Sequence, residues 1–249
     1  MAVILETKGL TKRFGGLTAV DGVNLRLEAK ELRCIIGPNG CGKTTLFNLI
    51  TGYYKPSSGE ILYEGKNITG KAVHEISKIG IGRKFQVPSV FSNLTVYENI
   101  RVPFFFSHRR SDSYGSENSH HEIIKLLEKI KLADKCNDLA INLAHGEKQW
   151  LEIGMVLASK PRLMLLDEPT AGMTVGETTK TAQLIRDISQ QTEISILVIE
   201  HDIGFVREIA SRITVMYKGD IFKEGSYDDI QSDDEVRAIY LGRRKSVSG

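Results

Sequence analysis

The segment Gly37-Pro38-Asn39-Gly40-Cys41-Gly42-Lys43-Thr44 constrains the fold of this chain more than any other part of its sequence. It fits the pattern of a phosphate-binding loop, in which glycines let the backbone curl so that its N–H groups surround phosphate oxygens. The apolar run Glu31 to Ile36 predicts a strand before it, and Thr44 to Thr51 predicts a helix after it. A strand, such a loop and a helix in this order predict a nucleotide-binding α/β fold with a mainly parallel sheet.

Two side chains of this segment have predicted roles of their own. Lys43 is expected to reach the β and γ phosphates of ATP, and the Thr44 hydroxyl to bind Mg²⁺. The other predicted nucleotide contacts are Gly37, Pro38, Asn39, Gly40, Cys41, Gly42 and Thr45. Because Cys41 lies just before a helix N-terminus, we expect positive potential to favour its thiolate. A glycine-rich turn with a chance lysine is the alternative, which the flanking strand and helix disfavour.

A second segment, Leu163-Met164-Leu165-Leu166-Asp167-Glu168, is an apolar strand that ends in two carboxylates. We expect Asp167 to contact Mg²⁺ and Glu168 to polarise an attacking water as general base. A buried strand that ends in an acidic turn at Pro169 is the alternative. Downstream of a phosphate loop, the segment instead predicts hydrolysis of ATP to ADP and phosphate.

Strand and helix patterns alternate along the rest of the chain. Short β-rich runs predict strands at Val3 to Thr7, Gly22 to Leu27, Glu31 to Ile36, Glu60 to Tyr63, Leu163 to Asp167, Ser195 to Glu200, Arg212 to Tyr217 and Asp220 to Lys223. Val175 to Gln190 predicts a helix, and the N-terminal strands are expected to form an antiparallel edge. Apolar residues at helical spacing predict a helical insertion after Pro88. The polar stretch Ser107 to His121 predicts a mobile surface loop.

These patterns predict a P-loop ATPase core with a β subdomain in residues 1–87 and 161–224, a helical subdomain in residues 88–160 and a C-terminal extension in residues 225–249. The 33 basic and 31 acidic residues give a net charge of +2, which does not favour nucleic acid as a partner. No apolar run reaches the roughly 20 residues of a membrane-spanning helix, and the first ten residues lack a signal-peptide pattern, so a cytoplasmic location is expected. Three widely spaced cysteines disfavour disulfides and zinc.

Further motifs follow in the order found in ATP-binding cassette (ABC) proteins, which the chain resembles over nearly its whole length. The resemblance implies that Phe14 stacks on adenine, that Gln86 contacts Mg²⁺ and senses the γ-phosphate, and that His201 contacts the γ-phosphate. The expected catalytic residues are therefore Glu168, Gln86 and His201. Taken singly, the three new residues also fit structural roles, as a core aromatic, a turn residue and a strand-end histidine.

The segment Leu143-Ala144-His145-Gly146-Glu147 occupies the position of the family signature, which is commonly Leu-Ser-Gly-Gly-Gln. The resemblance implies that two cassettes close head to tail, so that the signature of one chain faces the nucleotide of the other. Its predicted contacts are Ala144, His145, Gly146 and Glu147. Because Ala144 has no hydroxyl, Gly146 and the first turn of the following helix are expected to attract the phosphate. Thr174 likewise stands where many relatives carry an aspartate.

The resemblance implies a cycle in which ATP closes two cassettes and hydrolysis separates them, which moves transmembrane permease subunits. Residues Val87 to Tyr97, with Phe91, are expected to receive the permease, and simple packing of the helical insertion on the core is the alternative. A second, different ATPase is the expected companion because it could supply the hydroxyl that Ala144 lacks, and a homodimer is the alternative. The expected location is the cytoplasmic face of the inner membrane, with solute supplied by an extracytoplasmic binding protein.

Among transporters, the chain looks most like the ATPases of urea and branched-chain amino acid importers. The segments that carry this likeness, and that look closest to the urea type, are Leu143 to Met155, Gly82 to Gln86, Ala171 to Thr174 and Ala238 to Gly242. Uptake of urea or short amides is therefore expected first, then branched-chain amino acid import, then lipopolysaccharide export. A soluble, non-transport ABC ATPase would resemble tandem cassettes or a cassette split by a coiled coil, and a small-molecule kinase would have no use for the signature segment.

Overall fold

The computed structural model describes residues 2–84, 90–107 and 117–241. The strands are β1 Val3–Phe14, β2 Leu17–Val23, β3 Arg26–Glu28, β4 Leu32–Ile36, β5 Ser58–Tyr63, β6 Lys66–Asn67, β7 Ile81–Lys84, β8 Leu163–Asp167, β9 Ser195–Ile199, β10 Arg212–Tyr217 and β11 Asp220–Gly225. The helices are α1 Lys43–Ile50, α2 Val73–Lys78, α3 Val96–Ser107, α4 Glu117–Lys129, α5 His145–Ala158, α6 Val175–Gln191, α7 Ile203–Ile209, α8 Tyr227–Ser232 and α9 Asp234–Leu241. None of these described helices is long and apolar enough to cross a membrane.

The central sheet has the strand order β11-β10-β4-β9-β8-β7 and is parallel except for the β10–β11 pair. Every residue of β4, β8 and β9 is buried, as expected for strands covered on both faces. Because the strands are parallel, the ends of β4, β8 and β9 lie at one edge. The phosphate loop, Asp167 with Glu168, and His201 all follow at this edge.

Two hydrophobic clusters cover the two faces of the central sheet. Alternation along β4 sends Cys34 and Ile36 into one cluster, together with helices α3 to α7, and Ile35 into the other. The second cluster contains Phe47 of α1 and the inner face of the antiparallel sheet. The mainly parallel α/β fold that the sequence predicted is therefore confirmed.

The N-terminal strands form an antiparallel sheet in the order β2-β1-β5-β6, with β3 also paired to β1. The single strand predicted at Gly22 to Leu27 is wrong, because β2 ends at Val23 and β3 begins at Arg26. Asn24 interrupts the ladder: its side-chain oxygen accepts from the Gly9 N–H at 2.8 Å, and its amide donates to the Gly22 carbonyl at 2.8 Å. A local side-chain bond thus replaces strand pairing here.

Helices α3, α4 and α5 pack against one another within the first hydrophobic cluster, the one that contains Cys34 and Ile36. Gly154 permits a close approach between them, since a Cβ there would lie 2.5 Å from Ile130 and 2.9 Å from Ile100. The division of the chain into a core, a helical subdomain and a C-terminal extension stays a prediction.

The loop predicted at Ser107 to His121 is wrong at both ends. Ser107 belongs to α3, where its hydroxyl donates to the Phe104 carbonyl at 2.8 Å. His120 and His121 lie within α4, whose buried apolar face extends the helix upstream through polar residues. Only residues 108–116 of the predicted loop lie outside the described part of the chain.

Candidate nucleotide site

Two positions of the phosphate loop have a backbone conformation and surroundings that only glycine fits. Gly37 has φ 152° and Gly42 has φ 106°. A Cβ at Gly37 would lie 2.2 Å from the Met216 carbonyl oxygen, and one at Gly42 would lie 2.2 Å from that of Ala19. The chain therefore needs glycine at both ends of the loop before α1 begins at Lys43.

The Lys43 side chain curls back over the loop that precedes it. Its ammonium donates to the carbonyl oxygens of Gly37 at 2.7 Å and of Pro38 at 3.1 Å. Burial lowers the pKa of Lys43, and the nearby Cys41 and Glu168 act in the opposite direction. The ammonium thus lies at the loop that the sequence predicted to hold phosphate.

The surroundings of Cys41 do not favour the predicted thiolate. The Cys41 side chain is buried, and this burial raises the pKa of the thiol although the Lys43 ammonium, 3.8 Å from the sulfur, opposes the rise. Burial also raises the pKa of the Cys34 thiol, which lies inside β4. Proximity to a helix N-terminus does not compensate for the loss of solvent around Cys41.

Asp167 ends β8 in a buried ion pair that the sequence did not predict. Its Oδ2 lies 2.8 Å from Arg83 Nη2, at the end of the neighbouring strand β7. Arg83 also donates to the side-chain oxygens of Asn48 at 2.6 Å and Thr51 at 3.2 Å, on α1 and just after it. Burial raises the pKa of Asp167 and the Arg83 charge opposes the rise. Arg83 therefore connects the predicted metal ligand to α1.

The second oxygen of Asp167 fits a role in binding a cation. Asp167 is 1% exposed, and its Oδ1 has no hydrogen-bond partner among the described residues. A buried carboxylate oxygen without a donor is a suitable ligand for a hard cation such as Mg²⁺. Thr44, at the start of α1, lines a cleft at the phosphate loop. Gln86, also predicted to contact the metal, lies outside the described residues.

Glu168 and His201 meet at the sheet edge. Glu168 has φ 46°, a conformation that is uncommon for residues other than glycine, and its N–H donates to the Ile199 carbonyl at 3.0 Å. Its Oε1 lies 2.8 Å from His201 Nε2. Because an ionised carboxylate only accepts hydrogen bonds, Nε2 carries the proton in this pair. The structure thus brings together two of the predicted catalytic side chains.

A cleft of about 310 Å³ is lined by the phosphate loop, Glu168 and His201, and Asp167 is not among the described residues that line it. Its lining residues are Phe14, Leu17, Ala19, Asn39, Gly40, Cys41, Gly42, Lys43, Thr44, Thr45, Glu168 and His201. Phe14 is 41% exposed as a residue, and its ring packs edge-on against Tyr54 with 5.2 Å between ring centroids. Lys12 Nζ lies 5.0 Å from the Phe14 centroid. An aromatic ring at one end and phosphate-binding groups at the other suit a nucleotide.

The signature segment lies away from this cleft. The residues that line the cleft in the described part of the chain include none of Ala144, His145, Gly146 and Glu147. Ala144 is the N-cap of α5 and has no side-chain cap, so the Glu147 carboxylate accepts from its N–H at 3.0 Å instead. The Ala144 and His145 side chains are exposed. One chain alone does not bring its signature to its own phosphate loop.

The signature turn rests on the loop after β8. His145 Nε2 lies 2.8 Å from the Ala171 carbonyl oxygen, and a Cβ at Gly146 would lie 2.5 Å from Glu177. Thr174 is the N-cap of α6: its N–H donates to the Glu177 carboxylate at 2.8 Å, which lowers the pKa of Glu177. Within this chain, Thr174 acts as a helix cap.

Comparison with known proteins places the chain in one family. The model of the ABC transporter family matches residues 20–171. The branched-chain amino acid transport ATP-binding protein BraF of Pseudomonas aeruginosa is 38% identical, over 96% of this chain and 98% of its own length. The chain therefore belongs to the ABC transporter family, and it is of the class that supplies ATP hydrolysis to such transporters.

Two solved structures extend the comparison. The ADP conformation of the ATP-binding cassette MJ1267 superposes with a TM-score of 0.83 and 30% identity, over 97% of this chain and 100% of that one. The bacterial ABC transporter cassette MJ0796, solved as a dimer, superposes with a TM-score of 0.80 and 27% identity, over 90% of this chain and 99% of that one. The ADP conformation of MJ1267 agrees with a nucleotide-binding role for the cleft described above.

Proposed function

We propose that this chain energises a branched-chain amino acid importer by hydrolysing ATP with Glu168 as general base. The observation that carries the solute assignment is the similarity to BraF over nearly the whole of both chains. The hydrogen bond between Glu168 and His201, beside the phosphate loop, supports the chemistry. This assignment replaces urea, the solute expected first from the sequence, with the second expectation.

The phosphate loop binds the triphosphate in this proposal. Its N–H groups and the positive end of α1 attract the phosphate oxygens. The Lys43 ammonium, which donates to the carbonyls of Gly37 and Pro38, turns to donate to the β and γ phosphates. Phe14, exposed at the other end of the cleft, stacks on the adenine.

Asp167 and Thr44 would hold Mg²⁺, and a bound Mg²⁺ would supply positive charge to the β and γ phosphates. The Asp167 Oδ1 atom, which has no hydrogen-bond partner among the described residues, supports this assignment. Arg83 keeps the Asp167 side chain in place from the opposite oxygen.

Glu168 accepts a proton from the attacking water as the water oxygen bonds to the γ-phosphorus and the bond to the bridging oxygen breaks. His201 donates to Glu168 through Nε2, and this bond fixes the direction of the carboxylate. When His201 turns to the γ-phosphate, Glu168 is released to face water. Two acceptors thus compete for one imidazole N–H.

The signature segment requires a second cassette in this proposal, because it lies away from the cleft of its own chain. The dimeric MJ0796 cassette supports such an arrangement. The companion is a different ATPase whose signature carries a serine, which compensates for Ala144. A tag on this chain would purify the assembled transporter, whose subunits are then weighed. Two copies of this chain with no second ATPase would contradict the pairing.

Transmembrane permease subunits dock on the helices around α3, which places the chain at the cytoplasmic face of the inner membrane. A groove of about 290 Å³ there is lined by Leu94, Glu98, Arg101, Val102, Phe105 and Phe106. Phe106 is 63% exposed, and Phe91, in the segment predicted to receive the permease, is 46% exposed. Residues Val87 to Ser89 of that segment lie outside the described residues. An extracytoplasmic binding protein delivers the solute.

Uptake of labelled leucine and labelled urea, in cells that lack the gene, tests the solute. We expect leucine uptake to be lost and to return with the natural chain but not with Glu168→Gln. Glu193→Gln, which changes an exposed glutamate in the same way, is the matched control and should restore uptake. Loss of urea uptake with normal leucine uptake would return the assignment to the urea type.

A further inference from the structure

We propose that Glu200 is a positioning residue that holds Glu168 and His201 in their hydrogen-bonded arrangement. Glu200 is the residue before His201, and it was not among the residues that the sequence singled out. The inference rests on the proposed role of Glu168 as general base. It adds a residue that contacts neither ATP nor water in the reaction and acts through the two that do.

The Glu200 carboxylate is buried, with 3% of the residue exposed, and it accepts bonds from two loops. Its Oε1 accepts from the Thr170 backbone N–H at 3.0 Å and from the Thr170 hydroxyl at 2.6 Å. Its Oε2 accepts from the His201 N–H at 3.0 Å. One buried carboxylate thus joins the loop after β8 to the loop after β9.

These bonds fix the residues on both sides of the catalytic pair. Thr170 follows Glu168 by two positions, and His201 is bound at its own backbone. Glu168 has φ 46°, a conformation that a non-glycine residue keeps only when its surroundings hold it there. The Glu168 N–H bond to the Ile199 carbonyl and the Glu200 bonds supply that support.

A carboxylate suits this position better than an amide. All three donors point at it, and an ionised carboxylate is an acceptor only. A glutamine would place its NH₂ group against either Thr170 or His201, so that two donors would face each other. Burial of a carboxylate is costly without such bonds. The three hydrogen bonds offset the free-energy cost of burying the carboxylate, and their direction sets the geometry of the two loops.

If Glu200 had a purely structural role, loss of its bonds would affect stability but not turnover in particular. Thr214 provides a control that distinguishes this role from positioning of the catalytic pair. The Thr214 hydroxyl also donates to a carboxylate, Glu224 Oε1, at 2.7 Å, and Thr214 is fully buried. That pair joins β10 to β11, the last two strands of the central sheet on the side away from β8. Thr170→Val and Thr214→Val therefore each remove one hydroxyl-to-carboxylate bond at a different place, although Glu224 also pairs with Arg33 and Arg212.

The experiment measures kcat, KM for ATP and Tm in the assembled transporter. For Thr170→Val we expect kcat to fall roughly tenfold, less than the ~100-fold that a 1 Å misplacement can cost, with KM unchanged. Thr214→Val should lower Tm by about as much as Thr170→Val does, and it should leave kcat unchanged. Thr170→Ser, which keeps the hydroxyl, should restore kcat, and Glu200→Gln should lower kcat at least as far as Thr170→Val.

Glu168→Gln, measured beside these variants, separates the inference from the proposed function. If Glu168→Gln is inactive while Thr170→Val and Glu200→Gln turn over normally, the positioning role is wrong and the proposed chemistry stands. If Glu168→Gln hydrolyses ATP normally, the role of Glu168 is wrong and the positioning role fails with it. Equal losses of kcat in Thr170→Val and Thr214→Val would indicate a structural role only.

Discussion

The edge of the central sheet and the signature turn hold their functional groups in different ways. At the sheet edge, Lys43 and Asp167 are buried and bonded to residues of the same chain. At the signature turn, Ala144 and His145 are exposed, and the first turn of α5 lacks a side-chain cap. The difference supports the proposal that one chain preforms the catalytic half of the site, the phosphate loop with Asp167, Glu168 and His201, whereas the signature half is completed against a second chain.

The largest expected effect tests the catalytic half. Glu168→Gln keeps the shape of the side chain but removes the base, so turnover should fall by about 10²–10⁴, the usual contribution of general acid–base catalysis. ATP binding should stay unchanged, because Glu168 does not hold the triphosphate. Turnover of the assembled transporter and a direct binding titration measure the two quantities. Normal turnover would remove Glu168 from the chemistry.

The next effect concerns the buried ion pair behind the catalytic half. Arg83→Met leaves Asp167 without its cation, and loss of one partner from a buried pair typically costs about 3–5 kcal/mol of stability. Arg162→Met, which breaks a mostly exposed pair with Glu64, is the matched control and should cost at most ~1 kcal/mol. Chemical denaturation of the two variants beside the natural chain measures both costs.

The stability lost in Arg83→Met should depend on pH. Burial raises the pKa of Asp167, and removal of the opposing Arg83 charge raises it further. A carboxyl whose folded pKa lies above its unfolded value favours folding at low pH, and this contribution disappears as pH rises through the folded pKa. The cost of the substitution should therefore be largest at neutral pH and shrink towards the ordinary pKa of aspartate, about 3.9. A cost independent of pH would show that Asp167 is not the group affected.

A smaller effect is expected for the phosphate contact itself. Lys43→Ala removes a hydrogen bond to a charged group, typically worth about 1.5–3 kcal/mol, so the Kd for ATP should rise by about 10- to 150-fold. In the natural chain the Lys43 ammonium also donates to the carbonyls of Gly37 and Pro38. Loss of these two bonds should distort the phosphate loop to some extent. Titration with ATP and with adenosine separates the two contributions. A weaker affinity for adenosine as well would indicate a distorted loop.

Local patterns in the sequence were enough to predict the parts of the site that are continuous in the chain. The phosphate loop follows β4 directly, and Asp167 and Glu168 follow β8 directly, so a motif and its flanking elements predicted their placement. Arg83 and Glu200 could not be predicted in this way. Arg83 acts from β7 to β8, and Glu200 acts from the loop after β9 to the loop after β8. These contacts depend on the order of the strands in the sheet, which no single segment of the sequence specifies.

Two expectations from the sequence failed for the same reason, because they depend on contacts between distant segments. The polar residues around His120 predicted a loop, but the buried face of α4 extends the helix through them. Cys41 was expected to ionise because of the helix that follows, but the depth of its burial depends on residues distant in sequence. Burial is a property of the whole fold, and it decided both outcomes.

The signature turn offers a substitution that should improve function slightly. Ala144→Ser supplies the hydroxyl that the family signature commonly has, and one hydrogen bond of about 0.5–1.5 kcal/mol would strengthen ATP-dependent pairing of two cassettes by about 2- to 10-fold. The same serine would also cap α5, which stabilises a helix by ~1 kcal/mol without nucleotide. Both effects need to be measured, pairing by light scattering with ATP and stability by Tm without it.

Ala72→Ser separates capping from phosphate binding. Ala72 is also an N-cap without a side-chain cap, at the start of α2, and Glu75 accepts from its N–H at 2.9 Å as Glu147 does from Ala144. Both serine variants should raise Tm, and only Ala144→Ser should strengthen pairing. An equal gain in pairing from the two variants would mean that helix stability, and not the phosphate contact, limits closure.

The smallest expected effect is a slow reaction rate at Cys41. Because burial raises the pKa of its thiol, little thiolate is present at neutral pH, and alkylation should be slower than at the partly exposed Cys136. The rate should increase as pH rises towards and above 9.0, the ordinary value for the thiol, since the thiolate is the reacting form. MgATP should slow the reaction further, because Cys41 lines the cleft, and it should leave Cys136 unaffected. Mass spectrometry of alkylated peptides gives both rates from one sample. Faster labelling of Cys41 than Cys136 at neutral pH would show that the positive end of α1 outweighs burial, and the catalytic half would then be more open to solvent than the comparison with the signature turn implies.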